Sequence, residues 1–312
     1  MDYFLLIAGL AVLVLSGEVL VKGAVGIALR LRISTLVVGM TVVSFGTSAP
    51  ELLVSLQASL SGNPAIAIGN VVGSNIANLA LVLGLTALVL PLPVERDSLR
   101  IDWPVMMSAT ILLILFIFNG TVNRIEGGLL FGLLILFTVW LIRRSRKNAK
   151  SSDENEAEPP PLWHLFRDLG LVVLGCVGLV FGADWLLEGA VNIAESYGVS
   201  KHVIGVTIVA FGTSVPELVT SLVAAFRKQS DISIGNLVGS NLFNIMAILG
   251  ITAMVKDIPV EEIVIQRDIW WVFGVSLLLL PLMLIGRKIG RWQGILLFSI
   301  YIAYLLMQVF SV

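Results

Sequence analysis

Two glutamates of this chain lie inside apolar stretches, each directly after a proline and close to a pair of hydroxyl residues. The first ends the segment FGTSAPE (45–51), and the second ends FGTSVPE (211–217). A carboxylate in a membrane-embedded segment costs several kcal/mol unless it has a partner, and such residues usually mark the path of an ion or proton. We therefore expect Glu51 and Glu217 to lie on the path of an ion or proton and to interact with it.

The residues around each glutamate offer further oxygen atoms. A proline removes a backbone donor and breaks the helical ladder, so the carbonyls around 44–47 and 210–213 are predicted to be free. Gly46 and Gly212 are predicted to permit the irregular backbone. Hydroxyl oxygens lie within one turn of each acid, on Thr47, Ser48, Thr213 and Ser214.

A second polar motif, GN-x-VGSN-x-x-N, occurs at 69–78 and again at 235–244. Its serine and its last asparagine are four residues apart and therefore share one helix face. These residues are Ser74 with Asn78 and Ser240 with Asn244. Carboxylates with neutral oxygens, and without sulfur or imidazole, suit calcium and sodium rather than zinc or copper.

Both motifs belong to a longer internal repeat. Residues 39–84 and 205–250 align without a gap at an offset of 166, with about half of the positions identical. The repeat extends back to the first span of each half, where Glu18 aligns with Asp184. Those two acids are compatible with an ion path, with helix packing, or with a pairing of Glu18 and Lys22.

The composition indicates a polytopic, all-α membrane protein. Hydrophobic residues make up 57% of the chain and charged residues 13%, and the mean hydropathy is +0.97. The N-terminus reads as a retained span rather than a signal peptide. The single cysteine excludes an internal disulfide, and nothing indicates a cofactor, nucleic-acid binding or an obligate protein partner. Ten spans are predicted, at 3–27, 33–60, 66–90, 103–119, 124–142, 167–190, 200–226, 232–255, 269–286 and 291–311.

A polar, proline-containing linker at 143–166 separates two predicted five-helix repeats, 1–142 and 167–312. Placing this linker in the cytoplasm puts sixteen basic residues on that side and four on the other, with both termini outside. Five is an odd number, so equivalent helices run in opposite directions. Inverted repeats of this kind are typical of alternating-access transporters, whose site lies near the midplane where the repeats meet.

Serine, threonine and asparagine in membrane helices also make ordinary interhelical hydrogen bonds. We interpret one group of asparagines mainly in that structural sense: Asn70, Asn75, Asn236 and Asn241. The duplicated, proline-adjacent glutamates and their neighbouring hydroxyls are interpreted as functional.

With its paired FGTS-x-PE and GN-x-VGSN-x-x-N segments, the whole chain resembles the prokaryotic members of the sodium/calcium exchanger family, within the wider cation/calcium antiporter group. The resemblance implies four clustered cation positions formed by spans 2, 3, 7 and 8, with Glu51 and Glu217 as central calcium ligands. It further implies hydroxyl or carbonyl ligands from Thr47, Ser48, Thr213 and Ser214, backbone carbonyls for sodium from Ser44 and Ala210, sodium ligands at Ser74 and Ser240, and remaining polar positions at Asn78 and Asn244. Some members carry an aspartate where this chain has Asn244, so the implied central site has two carboxylates rather than three.

The resulting hypothesis is a secondary antiporter, not an enzyme, in the cytoplasmic (inner) membrane. It would exchange calcium for sodium, with the filled site permitting spans 1 and 6 to slide. A proton-coupled calcium exchanger, in which the two glutamates titrate, is the alternative. A cation channel is a weaker alternative because no filter-like loop is visible, and no catalytic motif indicates an intramembrane enzyme.

Overall fold

Helices account for nearly all of the described chain. The computed structural model describes residues 1–152, 162–199, 204, 207–208 and 210–310. The helices are α1 (Asp2–Leu31), α2 (Thr35–Thr47), α3 (Ala49–Leu60), α4 (Ala65–Val89), α5 (Ser98–Ile117), α6 (Arg124–Ser152), α7 (Leu162–Ser196), α8 (Ala210–Thr213), α9 (Val215–Phe226), α10 (Ser230–Val255), α11 (Val264–Arg287) and α12 (Arg291–Phe310). The strands have two residues each: β1 (Leu92–Pro93), β2 (Thr121–Val122), β3 (Ile258–Pro259) and β4 (Lys288–Ile289).

Within the described residues, eight helices are long and apolar enough to cross a membrane, namely α1, α4, α5, α6, α7, α10, α11 and α12. Helices α2 and α3 would add a ninth if they form one broken span. The predicted span at 200–226 includes residues 200–203, 205–206 and 209, which lie outside the described residues, and its described part contains the 12-residue apolar helix α9. The polytopic helical class is confirmed, and the tenth span stays a prediction.

The helices reach into the predicted linker from both sides. Helix α6 continues to Ser152 and α7 begins at Leu162, whereas the composition predicts a linker over 143–166. Residues 153–161 of that linker lie outside the described residues. The helix continues past 143 because arginine, lysine and alanine are strong helix formers even where the sequence is too polar for a membrane.

The chain divides into two compact units. Unit 1 comprises Met1–Thr47, Trp140–Asn236 and Ile302–Val312, and unit 2 comprises Ser48–Val139 and Leu237–Tyr301. Each unit therefore contains residues from both halves of the sequence, and neither unit coincides with one of the predicted repeats.

Unit 1 is built on α1 and α7, which pack along each other through glycines. A Cβ atom at Gly182 would lie 2.9 Å from the backbone nitrogen of Leu13, and one at Gly175 would lie 2.8 Å from that of Leu20. Small residues allow membrane helices to approach this closely. Helix α9 packs on α1 near Gly17.

Unit 2 contains two short antiparallel strand pairs. Strand β1 pairs with β4, with Leu92 opposite Ile289, and β2 pairs with β3, with Val122 opposite Ile258. Each pair therefore joins one strand from each half of the sequence. Helices α5 and α11 also pack together, and the indole of Trp103 donates a hydrogen bond to the carbonyl oxygen of Ser276.

Equivalent contacts recur at the repeat offset within each unit. In unit 1, Gly9 lies against Leu186 and Gly175 lies against Leu20, and both residues of the first contact map onto the second by a shift of 166. In unit 2, the two strand pairs also exchange first-half and second-half partners, with Leu92 and Ile258 related by a shift of 166 and Val122 and Ile289 by a shift of 167. Reciprocal contacts of this kind are what inverted repeats related by a pseudo-two-fold axis produce.

The close contact at Gly175 predicts that Gly175→Ala destabilises the protein. Its new methyl group would press on the backbone of Leu20, and overpacking of this kind costs about 1–3 kcal/mol. Gly170→Ala on the same helix is the matched control, because a Cβ there has no neighbour within 4 Å. Thermal unfolding in detergent should show a lower midpoint for Gly175→Ala and an unchanged or slightly higher one for the control. Equal midpoints would contradict the close packing of α1 and α7.

Candidate functional site

The glutamates of both FGTS-x-PE motifs lie in the first turn of a helix that begins after a break. Helix α3 follows Ser48 and α9 follows Ser214, and the backbone angles at these two serines are nearly identical, with φ −89° and ψ 6° at the first and φ −93° and ψ 3° at the second. The first turn of a helix has unpaired N–H groups and the positive end of the helix dipole. The break therefore places Glu51 and Glu217 where a negative charge is stabilised by the backbone.

The prolines of the motifs fit this position. Pro50 and Pro216 stand in the first turn of α3 and α9, where a helix tolerates proline because that N–H has no intrahelical acceptor. The carbonyl oxygens four residues earlier belong to Gly46 and Gly212, and they lose the donor that a continuous helix would provide. The predicted interruption of both helices is confirmed.

The glycines of the motifs have a different role from the predicted one. Gly46 and Gly212 lie within the helical segments before the breaks, so the prediction that they permit an irregular backbone is wrong. A Cβ at Gly46 would collide with the thiol of Cys176, and one at Gly212 would lie 2.7 Å from Cδ1 of Leu187. Both glycines therefore allow close packing against α7.

Six of the predicted ligand residues lie in unit 1: Ser44, Thr47, Ala210, Thr213, Ser214 and Glu217. Glu217 is 0% exposed, and Ser44, Thr47 and Ser214 are also buried. The hydroxyl of Ser44 donates to the carbonyl of Met40 at 2.7 Å, and that of Thr47 donates to Oδ1 of Asn236 at 3.1 Å. A hydroxyl that donates its hydrogen keeps oxygen lone pairs that can face a cation.

The other six lie in unit 2: Ser48, Glu51, Ser74, Asn78, Ser240 and Asn244. All six are buried, and Glu51 is 2% exposed. Helix α3 packs against α4 and against the part of α10 that begins at Asn244. The backbone makes a π-helical turn over Ala77–Val82 and another over Asn244–Ile248. Such turns are frequent at functional sites, and here they contain Asn78 and Asn244.

Two of the asparagines that the sequence indicated as structural, Asn70 and Asn236, donate hydrogen bonds to the helices that follow the breaks. Nδ2 of Asn70 donates to Oγ of Ser55 at 3.0 Å and to the carbonyl of Glu51 at 3.3 Å. Nδ2 of Asn236 donates to Oγ of Ser221 at 3.2 Å. The asparagine–serine bond is thus formed at equivalent positions of both repeats. The sequence analysis did not single out Ser55 and Ser221. A signal was present, because both repeats have serine at this position, related by the offset of 166.

The last asparagine of the second motif, Asn78 in one repeat and Asn244 in the other, does not make the same hydrogen bond in the two repeats. Nδ2 of Asn244 donates to Oδ1 of Asn75 at 3.2 Å. The equivalent bond would join Asn78 and Asn241, but Nδ2 of Asn241 donates to the carbonyl of Leu237 at 2.8 Å. Among the described residues neither amide atom of Asn78 has a hydrogen-bond partner, and Oδ1 of Asn244 and Oγ of Ser214 also have none.

Buried polar atoms without partners are rare in folded proteins and mark places where an ion or water is expected to bind. Among the predicted ligand residues, the atoms named above without partners are hydroxyl and amide atoms of Ser214, Asn78 and Asn244. The ionisable side chains among these ligand residues are two carboxylates. No cluster of three or more histidine, cysteine, aspartate or glutamate side chains that could hold a metal is found within the described part of the chain. The donor set in each unit suits a hard cation such as calcium or sodium.

One acid of the first span has a partner other than the one considered from the sequence. Oε1 of Glu18 accepts a hydrogen bond from Nη2 of Arg227 at 2.7 Å within unit 1. The pairing of Glu18 with Lys22 is therefore replaced by an ion pair between α1 and the residue that follows α9. Sequence spacing favours partners on the same helix, and it does not contain the information that α9 packs on α1.

Comparisons with known proteins find relatives that match this chain over nearly its whole length. The family model described as sodium/calcium exchanger protein matches residues 1–143 and 168–310. The putative antiporter CaxA of Alkalimonas amylolytica is 37% identical over 305 residues, which cover 96% of this chain and 95% of that protein. The sodium/calcium exchanger MaX1 of Methanosarcina acetivorans is 33% identical over 340 residues and 97% of each chain.

A solved structure of the sodium-calcium exchanger NCX_Mj, soaked with 10 mM Na⁺ and zero Ca²⁺, matches the fold with a TM-score of 0.83. It is 34% identical in sequence, and the match covers 97% of both chains. The family model covers both halves of the sequence, and the structural match covers nearly the whole chain. This chain therefore belongs to the sodium/calcium exchanger family.

Proposed function

We propose that this protein is a secondary antiporter that exchanges calcium for sodium across a membrane by alternating access. The observation that carries the proposal is the duplicated glutamate, buried in both repeats directly after a helix break, in a chain of the sodium/calcium exchanger family. The transported calcium and sodium ions are its substrates, and the reaction requires no cofactor.

The ligand roles follow from the donor chemistry of each residue. Glu51 and Glu217 supply the negative charge that a divalent ion needs. The hydroxyls or carbonyls of Thr47, Ser48, Thr213 and Ser214 serve as neutral ligands. Sodium is bound by the carbonyls of Ser44 and Ala210 and by Ser74 and Ser240, and Asn78 and Asn244 complete the polar set. The orphaned amide of Asn78 and the orphaned Oδ1 of Asn244 support this assignment.

Exchange follows from competition for the two glutamates. Burying a carboxylate removes it from water, and a bound calcium or sodium ion offsets part of that cost, so the protein favours states in which an ion is bound. Each ion shifts the conformational equilibrium only through its different affinity for the two access states. Because both ions use the same carboxylates, one ion must leave before the other binds, and this coupling makes the protein an antiporter.

We propose that the protein spans the cytoplasmic (inner) membrane, with both termini outside and the 143–166 linker in the cytoplasm. Contacts within each unit support this topology. The strands β1 and β4 belong to two loops predicted in the cytoplasm, and β2 and β3 belong to two loops predicted outside. In unit 1, Arg30 forms an ion pair with Asp168 at the predicted cytoplasmic ends of α1 and α7. At their other ends Asn192 donates to Oδ1 of Asp2 at 3.2 Å.

The coupling ion is tested by calcium uptake into vesicles under an imposed sodium gradient, with and without a pH gradient. Uptake driven by sodium and indifferent to the pH gradient is expected. Uptake that follows only the proton gradient would contradict sodium coupling and favour the proton-coupled alternative.

Glu51→Gln and Glu217→Gln are each predicted to abolish calcium uptake in this assay. Glutamine keeps the size of the side chain but removes the charge, and loss of a direct ligand should lower calcium affinity by at least about 10–100-fold. Glu261→Gln is the matched control, because Glu261 is exposed and outside the proposed ligand set. Thermal unfolding should remain cooperative in all three variants, since replacing a buried carboxylate by an amide removes a desolvation cost. Wild-type uptake by both ligand variants would refute the assignment.

Asn244→Asp is predicted to make transport more sensitive to mild acid. Asn244 and Glu51 lie on packed helices of unit 2, so the substitution would place a second carboxylate close to the first. Like charges in a partly desolvated site raise the pKa of at least one carboxyl, and a proton then competes with the cations as the pH falls. Initial calcium uptake measured against pH should therefore fall at a higher pH in the variant than in the wild type.

The structure accommodates this substitution, because the amide of Asn75 can turn over and donate Nδ2 to the new carboxylate. Asn63→Asp adds the same charge at an exposed position of unit 2 and is the matched control. Parallel pH curves for wild type, control and Asn244→Asp would show that Asn244 lies too far from Glu51 to affect it.

A further inference from the structure

A groove of about 600 Å³ lies on the surface of unit 1, outside the proposed ligand set. It is lined by α1 and by the turn after α9, and it combines charged and apolar side chains. Lys22 and Arg227 provide two positive charges, and Glu18 provides one negative charge. Leu15 and Val19 form an apolar wall on the same face of α1. Exchange of ions does not require such a combination here.

The charges of the groove lie at the level of the membrane surface. Helix α9 ends at Phe226, and residues 227–229 make a non-helical turn in which Lys228 has a φ of 58°. Non-helical backbone is not exposed to the hydrocarbon of a bilayer, so this turn lies at the headgroup or water level. Glu18 lies at the same level because its carboxylate bonds to Arg227.

The apolar wall continues from this level towards the hydrocarbon. Leu15 precedes Glu18 by about one helical turn, on the side away from Lys22, and it is 64% exposed. Lys22 follows Glu18 by one turn and is also exposed. The groove thus has a positively charged end at the membrane surface and an apolar surface that leads from it into the bilayer, which is the distribution of an anionic lipid.

The equivalent positions of the other repeat carry no positive charge. At the offset of 166, Glu18 and Lys22 correspond to Asp184 and Glu188, and Arg227 corresponds to Ser61. The positive charges of the groove are therefore specific to one repeat. Inverted repeats place equivalent positions at opposite membrane surfaces, so the positive groove belongs to one surface only. In the proposed topology that surface is cytoplasmic, and this leaflet assignment rests on the proposed function.

We propose that this groove binds an anionic phospholipid, with the headgroup phosphate on Lys22 and Arg227 and an acyl chain along Leu15 and Val19. Glu18 orients Arg227 and reduces the net positive charge of the groove to one. The carboxylate therefore weakens binding of the phosphate, while a zwitterionic lipid, whose headgroup has no net charge, gains little from the groove.

Native mass spectrometry of the full-length protein, titrated with phosphatidylglycerol or phosphatidylcholine in mild detergent, tests the proposal. Phosphatidylglycerol should bind more tightly than phosphatidylcholine. Lys22→Gln and Arg227→Gln should each weaken phosphatidylglycerol binding by about fivefold, and Glu18→Gln should strengthen it. Arg96→Gln, at an exposed basic position on the same predicted membrane side, should leave it unchanged.

The double variant Glu18→Gln/Arg227→Gln guards against misfolding, because it removes the ion pair without leaving an unpaired carboxylate. It should bind phosphatidylglycerol less tightly than Glu18→Gln alone. Equal binding of the two lipids, or variants of Lys22 and Arg227 that bind like Arg96→Gln, would overturn the proposal. Competition by millimolar inorganic phosphate would also overturn it, because the site would then recognise a free anion. These readouts do not involve ion transport, so their failure is distinct from failure of the exchange function.

Discussion

The burial of one carboxylate in each repeat is the constraint on which the rest of this structure depends. Glu51 and Glu217 are almost completely buried, and removing a carboxylate from water costs free energy. The start of a helix favours a nearby negative charge by at most about 2 kcal/mol. That contribution is smaller than the cost of removing a carboxylate from water. A cation bound beside such a carboxylate offsets part of this cost, so burial of the charge favours cation binding.

The remaining features of the motifs create and hold that helix terminus inside a long apolar segment. The break at Ser48 or Ser214 starts a new helix, and proline is tolerated in its first turn. Glycine before the break allows close packing, while the following helix is held by a buried asparagine–serine bond. The occurrence of this arrangement in both repeats therefore argues for one function performed twice rather than for two unrelated structural features.

Much of this could be predicted from the sequence, because membrane helices and duplicated polar motifs leave strong local signals. The helical class, the breaks at the prolines and the burial of both glutamates all follow from residue types within a few positions of each other. The partner of Glu18 could not be predicted, since Arg227 is 209 residues away and only tertiary packing brings it to α1. The extent of α6 was missed for a different reason. Hydropathy reports where a membrane ends, and a helix of arginine, lysine and alanine can continue beyond that point.

The two repeats have the same asparagines but do not bond them in the same way. Asn244 donates to Asn75, whereas the equivalent bond between Asn78 and Asn241 is not formed, and the difference lies within unit 2. The four asparagines are of one residue type, whereas only about half of the positions around them are identical in the two repeats. Equivalent positions of the two inverted repeats therefore need not make equivalent hydrogen bonds, although the repeats share one architecture. A neutral amide can donate as well as accept, so an asparagine at these positions suits both a hydrogen bond between helices, as Asn244 makes with Asn75, and the ligand role proposed for Asn78 and Asn244.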